Sequence, residues 1–131
     1  MAEATSRIRR LIANELGDCV DEDVEKRMAE IEELADRAFG NDATSEVFAV
    51  LGNETRYRLA RALAISGEEM CVCELEPLVE VSNSAVSHAL SDLVDVDLVH
   101  RRKEGNWRYY RSTELATSLF ETADRQVATN E

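Results

Sequence analysis

Two cysteines one residue apart, Cys71-Val72-Cys73, followed directly by Glu74-Leu75, are the part of this chain best equipped for chemistry. Thiolates are the ligands preferred by soft, thiophilic ions, and two of them this close can grip one ion together. One further cysteine, Cys19, completes the set. Three is an odd number, so no closed disulfide framework is expected. Cysteines used this sparingly serve as ion ligands, as redox-active thiols or as small core residues. Of the two histidines, His88 reads as a helix-surface residue rather than a metal ligand, and His100 as a strand residue. No nucleophile–base constellation and no glycine-rich phosphate loop occurs, so an enzyme is not expected.

The elements that must position these thiols follow from periodicity. Ile8, Leu11, Ile12 and Leu16 recur at helical spacing and predict an amphipathic helix over about residues 3–16, broken at Gly17-Asp18 beside Cys19. Val24, Met28, Ile31, Ala35 and Ala38 form a heptad-like seam on a second helix ending near Gly40. A narrow seam on so acidic a helix wants a partner, and a second copy of the chain is the simplest one. Residues 1–42 therefore read as a helical extension for dimerisation, and residues 43–131 as the globular part.

Within that part, Thr44 or Ser45 is expected to cap a short helix through Val47, Phe48, Val50 and Leu51. Asn53 should cap the next, with Leu59, Ala62 and Leu63 inward and a stop at Ser66-Gly67. A third helix is expected to run through the cysteines toward Val79, with a bend or boundary near Glu76 set by Pro77. Ser82 should cap a fourth, burying Val86, Ala89, Leu90 and Leu93. Leu98–Lys103 and Trp107–Arg111 flank Glu104-Gly105-Asn106 as a hairpin. Thr113 should cap a last helix with a stripe of Leu115, Leu119, Ala123 and Val127, and Ala116 and Phe120 alongside.

Helix, tight turn, helix, hairpin is the order of a winged helix–turn–helix. The fold class is mainly α with a small β-hairpin wing (α+β), flanked by N- and C-terminal dimerisation helices. With the apolar face of the fourth helix buried, Asn83, Ser84, Ser87 and His88 stay on its outer, N-terminal face, where a recognition helix meets base edges. No acid occurs from Val81 to Leu90. The hairpin adds Arg101, Arg102, Lys103, Arg108 and Arg111 for the phosphate backbone or the minor groove. The alternative is that the serines merely cap and the arginines balance acids.

The net charge of -12 would repel nucleic acid overall, so this basic strip within an acidic body is what needs explaining. Thirteen arginines against two lysines, Lys26 and Lys103, with 27 acids, suit a protein that must stay dissolved in concentrated salt. A halophilic source is expected. No apolar run is long enough to span a bilayer and the N-terminus lacks a signal-peptide pattern, which points to a cytoplasmic protein without a membrane partner.

Residues 44–112 resemble the ArsR/SmtB family of arsenical- and metal-responsive winged-helix repressors. The likeness is carried by Leu51-Gly-Asn-Glu-Thr-Arg56, Met70-Cys-Val-Cys-Glu-Leu75, Val81-Ser-Asn-Ser-Ala-Val-Ser-His-Ala-Leu90 and Leu98-Val-His-Arg-Arg-Lys-Glu-Gly-Asn-Trp-Arg-Tyr-Tyr-Arg111. The resemblance implies a homodimer on double-stranded operator DNA, needing no cofactor to bind and released by an inducer. In the arsenical-responsive branch the matching cysteine pair, Cys71 and Cys73 here, holds As(III) or Sb(III). Some relatives have a third cysteine where this chain has Glu76, so either the pair binds alone or Cys19 completes the triad. Zinc-type sensing on the last helix is not expected, since residues 113–131 contain no His. On an ideal α-helix, residues two apart point about 200° apart, so a helix through the pair must unwind for both sulfurs to reach one ion. The rival readings are a redox regulator in which Cys19 forms a disulfide with Cys71 or Cys73, or across the dimer, and an interaction module whose acidic helices recruit a partner and whose cysteines sense nothing.

Overall fold

Two short polar side chains, Asn53 and Ser82, mark where the central helices begin. The structure is a computed structural model that describes residues 2–16 and 21–130. It forms two units, Met1–Asp42 and Ala43–Glu131.

The first unit is a pair of helices, α1 (Ala2–Leu16) and α2 (Asp21–Phe39). Val24 is buried, and Ile8, Ile12, Met28, Ile31 and Ala35 are half-buried, so the expected seam runs along α2 as far as Ala35. Ala38, the last predicted seam residue, is exposed. An ion pair of 2.7 Å from Arg9 Nη1 to Asp21 Oδ1 ties the start of α2 to α1. Leu11, Leu34 and Phe39 remain open to solvent.

The second unit begins with α3 (Asp42–Leu51) and α4 (Glu54–Ser66). Thr44 and Ser45 lie inside α3 rather than capping it, and Asp42 sits in its first turn, where a carboxylate complements the helix dipole. Asn53 Oδ1 accepts the Arg56 N–H at 3.0 Å, capping α4 as expected. Gly67, at φ 67°, ends that helix by donating to the Leu63 carbonyl, a left-handed position that suits a residue without Cβ. Ala60, not Ala62, is the fully buried small residue of α4.

The segment through the cysteines departs from expectation. Met70–Cys71 is a strand, β1, followed by one short helical turn, α5 (Val72–Leu75), and a 3-10 turn over Glu76–Leu78. A single long helix cannot form here. Cys71 is held extended by its ladder partner Tyr109, its N–H goes to Glu74 Oε1 at 3.0 Å, and Pro77 has no N–H to continue an α ladder.

Helix α6 (Asn83–Asp95) starts at Ser82, whose Oγ accepts the Ala85 N–H at 3.1 Å, and buries Val86, Ala89, Leu90 and Leu93. The left-handed Asp97 (φ 59°) turns the chain sharply into β2 (Val99–Glu104). β3 is Trp107–Ser112, and the antiparallel sheet runs β1-β3-β2. Thr113 Oγ1 accepts the Ala116 N–H at 3.2 Å at the start of α7 (Glu114–Asn130) and donates to the Asp97 carbonyl at 2.7 Å. Ala116 and Phe120, not the Leu115–Val127 stripe, face the core of this unit. Leu115, Ala123 and Val127 are exposed and Leu119 is half-buried. Phe120 is fixed by an edge contact with Tyr57 (centroids 5.7 Å apart) and lies under Arg61, which pairs with Asp124 at 2.7 Å.

Ser82→Ala should cost about 1 kcal/mol, because one N–H of the first α6 turn loses its acceptor. Urea melts monitored by circular dichroism measure this, and a change of only a few tenths would show that the cap does not define the start of α6.

Candidate functional site

The outer face of α6 is built by exclusion. Once its apolar stripe is buried, Asn83, Ser84 and His88 are exposed and Ser87 is half-buried. They stand within two turns of the helix start, where backbone N–H groups and the helix dipole also favour an anion. Asn83 is not idle in this state: its Nδ2 donates a hydrogen bond to Glu76 Oε1.

The five basic residues of the hairpin do not form one strip. Side chains of a strand alternate between faces, and the register pairs Arg101 with Tyr110, Arg102 with Tyr109 and Lys103 with Arg108. Tyr110 and Val99 are buried, so their face, which carries Arg101, Lys103 and Arg108, is the one turned toward α6. Arg101 Nη1 reaches Ser91 Oγ of α6 at 3.4 Å. The opposite face carries His100, Arg102, Trp107, Tyr109 and Arg111 together with Cys71, the β1 partner of Tyr109.

Arg102 is fully engaged on that second face. It donates to both Glu69 oxygens at 3.0 and 3.1 Å and to Glu104 at 2.7 Å, and its guanidinium lies 4.7 Å from the Tyr109 ring centroid. The hydrogen bonds from Arg102 hold the Glu69 carboxyl below the ordinary carboxylate range, with Arg111 contributing through its charge. Reciprocally, the same carboxylates push the Arg102 guanidinium further up.

The thiols meet where strand becomes helix. Cys71 is buried at the end of β1 with extended backbone (φ -86°, ψ 167°), and Cys73 is exposed on α5. Their Cα atoms are 5.4 Å apart and the two sulfurs are joined as a disulfide. The predicted divergence of about 200° belongs to an ideal helix and does not apply, because Cys71 is not helical. Both sulfurs reach one point without unwinding anything. Among the described residues no group of three His, Cys, Asp or Glu side chains could hold a metal ion. Cys19 lies outside the described residues.

Beside the pair is a cleft of about 260 Å³, lined by Cys71, Val72, Cys73, Glu76, Asn83, Asn106, Trp107 and Arg108. It brings together the thiols, the first residue of α6 and the tip of the wing. Sequence reasoning missed Glu69 and Trp107 as parts of this region and had Glu76 only as the position where some relatives carry a third cysteine. Glu69 and Trp107 had no local signal, since Trp107 is placed by strand pairing and Glu69 by its ion pair with Arg102, 33 residues on.

Comparison with known proteins bears on the fold and the family. Residues 53–101 match the family described as bacterial regulatory protein, arsR family. A Halobacterium salinarum protein named as an arsenical resistance operon repressor, ArsR, is 50% identical over 119 residues, covering 88% of this chain and 92% of that one. Among solved structures, reduced HlyU from Vibrio cholerae superposes with a TM-score of 0.59 at 26% identity over 70% of this chain and 96% of that one. The transcriptional repressor BigR from Xylella fastidiosa superposes with a TM-score of 0.53 at 25% identity, covering 79% and 91%. A winged helix–turn–helix with shared identity along nearly its whole length leaves one assignment: the chain belongs to the ArsR family, whose members regulate transcription by binding DNA and are not enzymes.

Proposed function

We propose that this chain is a homodimeric repressor released from its operator when arsenite or antimonite is bound by Cys71 and Cys73. The observation that carries the reading is the shared cleft, in which the thiol pair faces Asn83 of the recognition helix and Trp107 and Arg108 of the wing. An ion held by the two thiolates occupies space between the two elements that must grip the duplex together. DNA favours the closed arrangement and the ion the parted one, a reciprocal coupling of the usual order of 1–3 kcal/mol. Cys19 is the proposed third sulfur. Arsenical resistance, the role in the name of the Halobacterium relative, supports the same inducer class.

On the DNA side, Asn83, Ser84, Ser87 and His88 read base edges in the major groove, while Arg101, Lys103 and Arg108 hold phosphates. The exposed apolar residues of α1, α2 and α7, among them Leu11, Phe39 and Val127, supply the dimer contacts. A two-fold dimer suits an inverted repeat with half-sites about one helical turn apart. Among the described residues no helix is long and apolar enough to cross a membrane, and the protein works in the cytoplasm of a salt-adapted cell.

A second reading is favoured by the disulfide. If an oxidant such as hydrogen peroxide takes two protons and two electrons from the pair, the products are the Cys71–Cys73 disulfide and two waters. That bond removes the thiolates an ion needs, so oxidation and ion binding exclude each other.

In reducing buffer, arsenite should lower affinity for duplex from the gene's own upstream region about 5- to 150-fold. Cys73→Ser should bind that duplex normally and ignore arsenite. Release by peroxide but not by arsenite, read by fluorescence anisotropy, would favour the redox account. Neutralising Arg101, Lys103 or Arg108 singly should weaken binding to all sequences alike and lower the salt slope by roughly one each. An unchanged slope removes that residue from the phosphate set. Thermal melts should show higher stability in molar KCl than in dilute buffer, and equal midpoints would end the halophilic reading.

A further inference from the structure

Arg102 belongs by type and position to the basic strip, yet its surroundings are those of a strut. Two carboxylates hold it, Glu69 with both oxygens and Glu104 with one, and it stacks on Tyr109. It projects from the sheet face opposite Arg101, Lys103 and Arg108. Within the register, Arg102, Tyr109 and Cys71 form one row across all three strands, and Glu69, two residues before Cys71 in the segment entering β1, reaches Arg102 with both carboxylate oxygens. To touch a phosphate, Arg102 would have to leave three charge-assisted hydrogen bonds and an aromatic face, and the two acids beside it would repel the incoming anion. A solitary half-exposed ion pair orients little. A two-pronged pair backed by a ring fixes a direction, because the planar guanidinium matches the carboxylate in one geometry.

We propose that Arg102 is a positioning residue, bracing the wing to the thiol-bearing strand through Glu69, and not a phosphate contact. This rests on the operator-binding reading above and refines it. β2 and β3 are joined by a tight turn and reach away from the core, where only Val99 and Tyr110 are buried. β1 adds two residue pairs to that hairpin. The Arg102–Glu69 link extends the same connection from the wing's outer strand across β3 to the segment entering β1. The wing is thereby held at a fixed angle to α6 before DNA arrives, which spares the ordering cost on binding. It also ties wing and thiol site together, so that displacement of Cys71 is felt at Arg102.

The test uses the full chain on upstream-region duplex through a KCl series, with Arg102→Gln, Glu69→Ala, the double variant, and two controls matched in charge to the singles, Arg125→Gln and Glu68→Ala respectively. Relative to its own control each single variant should bind about threefold to tenfold more weakly, and the double variant should bind no worse than either single. The dependence of affinity on salt should keep its slope. A slope reduced by about one in Arg102→Gln would overturn the proposal, because that marks a lost phosphate contact. So would tighter binding by Glu69→Ala than by Glu68→Ala, since freeing Arg102 would then help. Amide hydrogen exchange on the free chain reads the brace without DNA. Residues 99–112 should exchange faster in both brace variants, and unchanged protection overturns it. A wild-type chain that holds no duplex at all would sink the operator reading while leaving the exchange measurement decisive for the brace.

Discussion

Two ladder pairs, Met70 with Tyr110 and Cys71 with Tyr109, govern the rest of this molecule. By stretching two residues into an edge strand they stop the chain from continuing helical through the cysteines. Cys71 becomes the last extended residue and Cys73 falls on the first turn of α5, so both sulfurs meet across the one intervening residue, Val72. The same pairing sets Glu69 across from Arg102 and turns the thiol cleft toward the start of α6. Without it the hairpin would have one neighbour fewer, and a two-stranded ribbon alone is at best marginally stable in water.

This junction changes the mechanical picture of sensing. A helix carrying both cysteines would have to unwind before one ion could bridge them, and the unwinding itself would be the signal. Here the pair is already convergent, so the proposed ion would meet both sulfurs without unwinding α5. Its effect in that reading is spatial, in a cleft whose other walls are Asn83 and the wing tip. The Asn83–Glu76 hydrogen bond also gives the first residue of α6 a partner in the absence of DNA. In the proposed reading, a base edge or phosphate that recruits Asn83 competes with that carboxylate, which would join the state of the cleft to the DNA-facing side of α6 at one side chain.

Electrostatics work at close range in this protein. With a net charge of -12, the body opposes a polyanion, and the favourable charges are confined to one face of a six-residue strand pair. At molar salt the Debye length is about 3 Å, so the distant acids are screened while contacts at hydrogen-bonding distance survive. Dividing the hairpin's cations between two faces would suit the proposed high-salt setting. In the proposed reading Arg101, Lys103 and Arg108 serve the duplex, whereas Arg102 and Arg111 act on Glu69 beside the cysteine pair.

What could be read from the residues was what local physics dictates. Asn53 and Ser82 can cap because their side chains reach a backbone N–H three residues on; the stripe Val86, Ala89, Leu90 and Leu93 follows from helical spacing; glycine with a polar neighbour makes the hairpin turn. The cysteine pair suggested a soft-ion site by type and spacing, which remains a proposal, whereas the residues around it carried the family resemblance that the comparisons show. Tertiary structure decided everything that depends on a partner far away in the chain. A two-residue strand has no period to detect, so β1 exists only because β3 offers it an edge. The inward face of α7 is Ala116 and Phe120, with Phe120 received by Tyr57 and Arg61 of α4, although the neighbouring Leu115 stripe is just as apolar. Arg102 looks in sequence like any other wing arginine, and its engagement depends on Glu69, 33 residues earlier, which the strand register brings alongside.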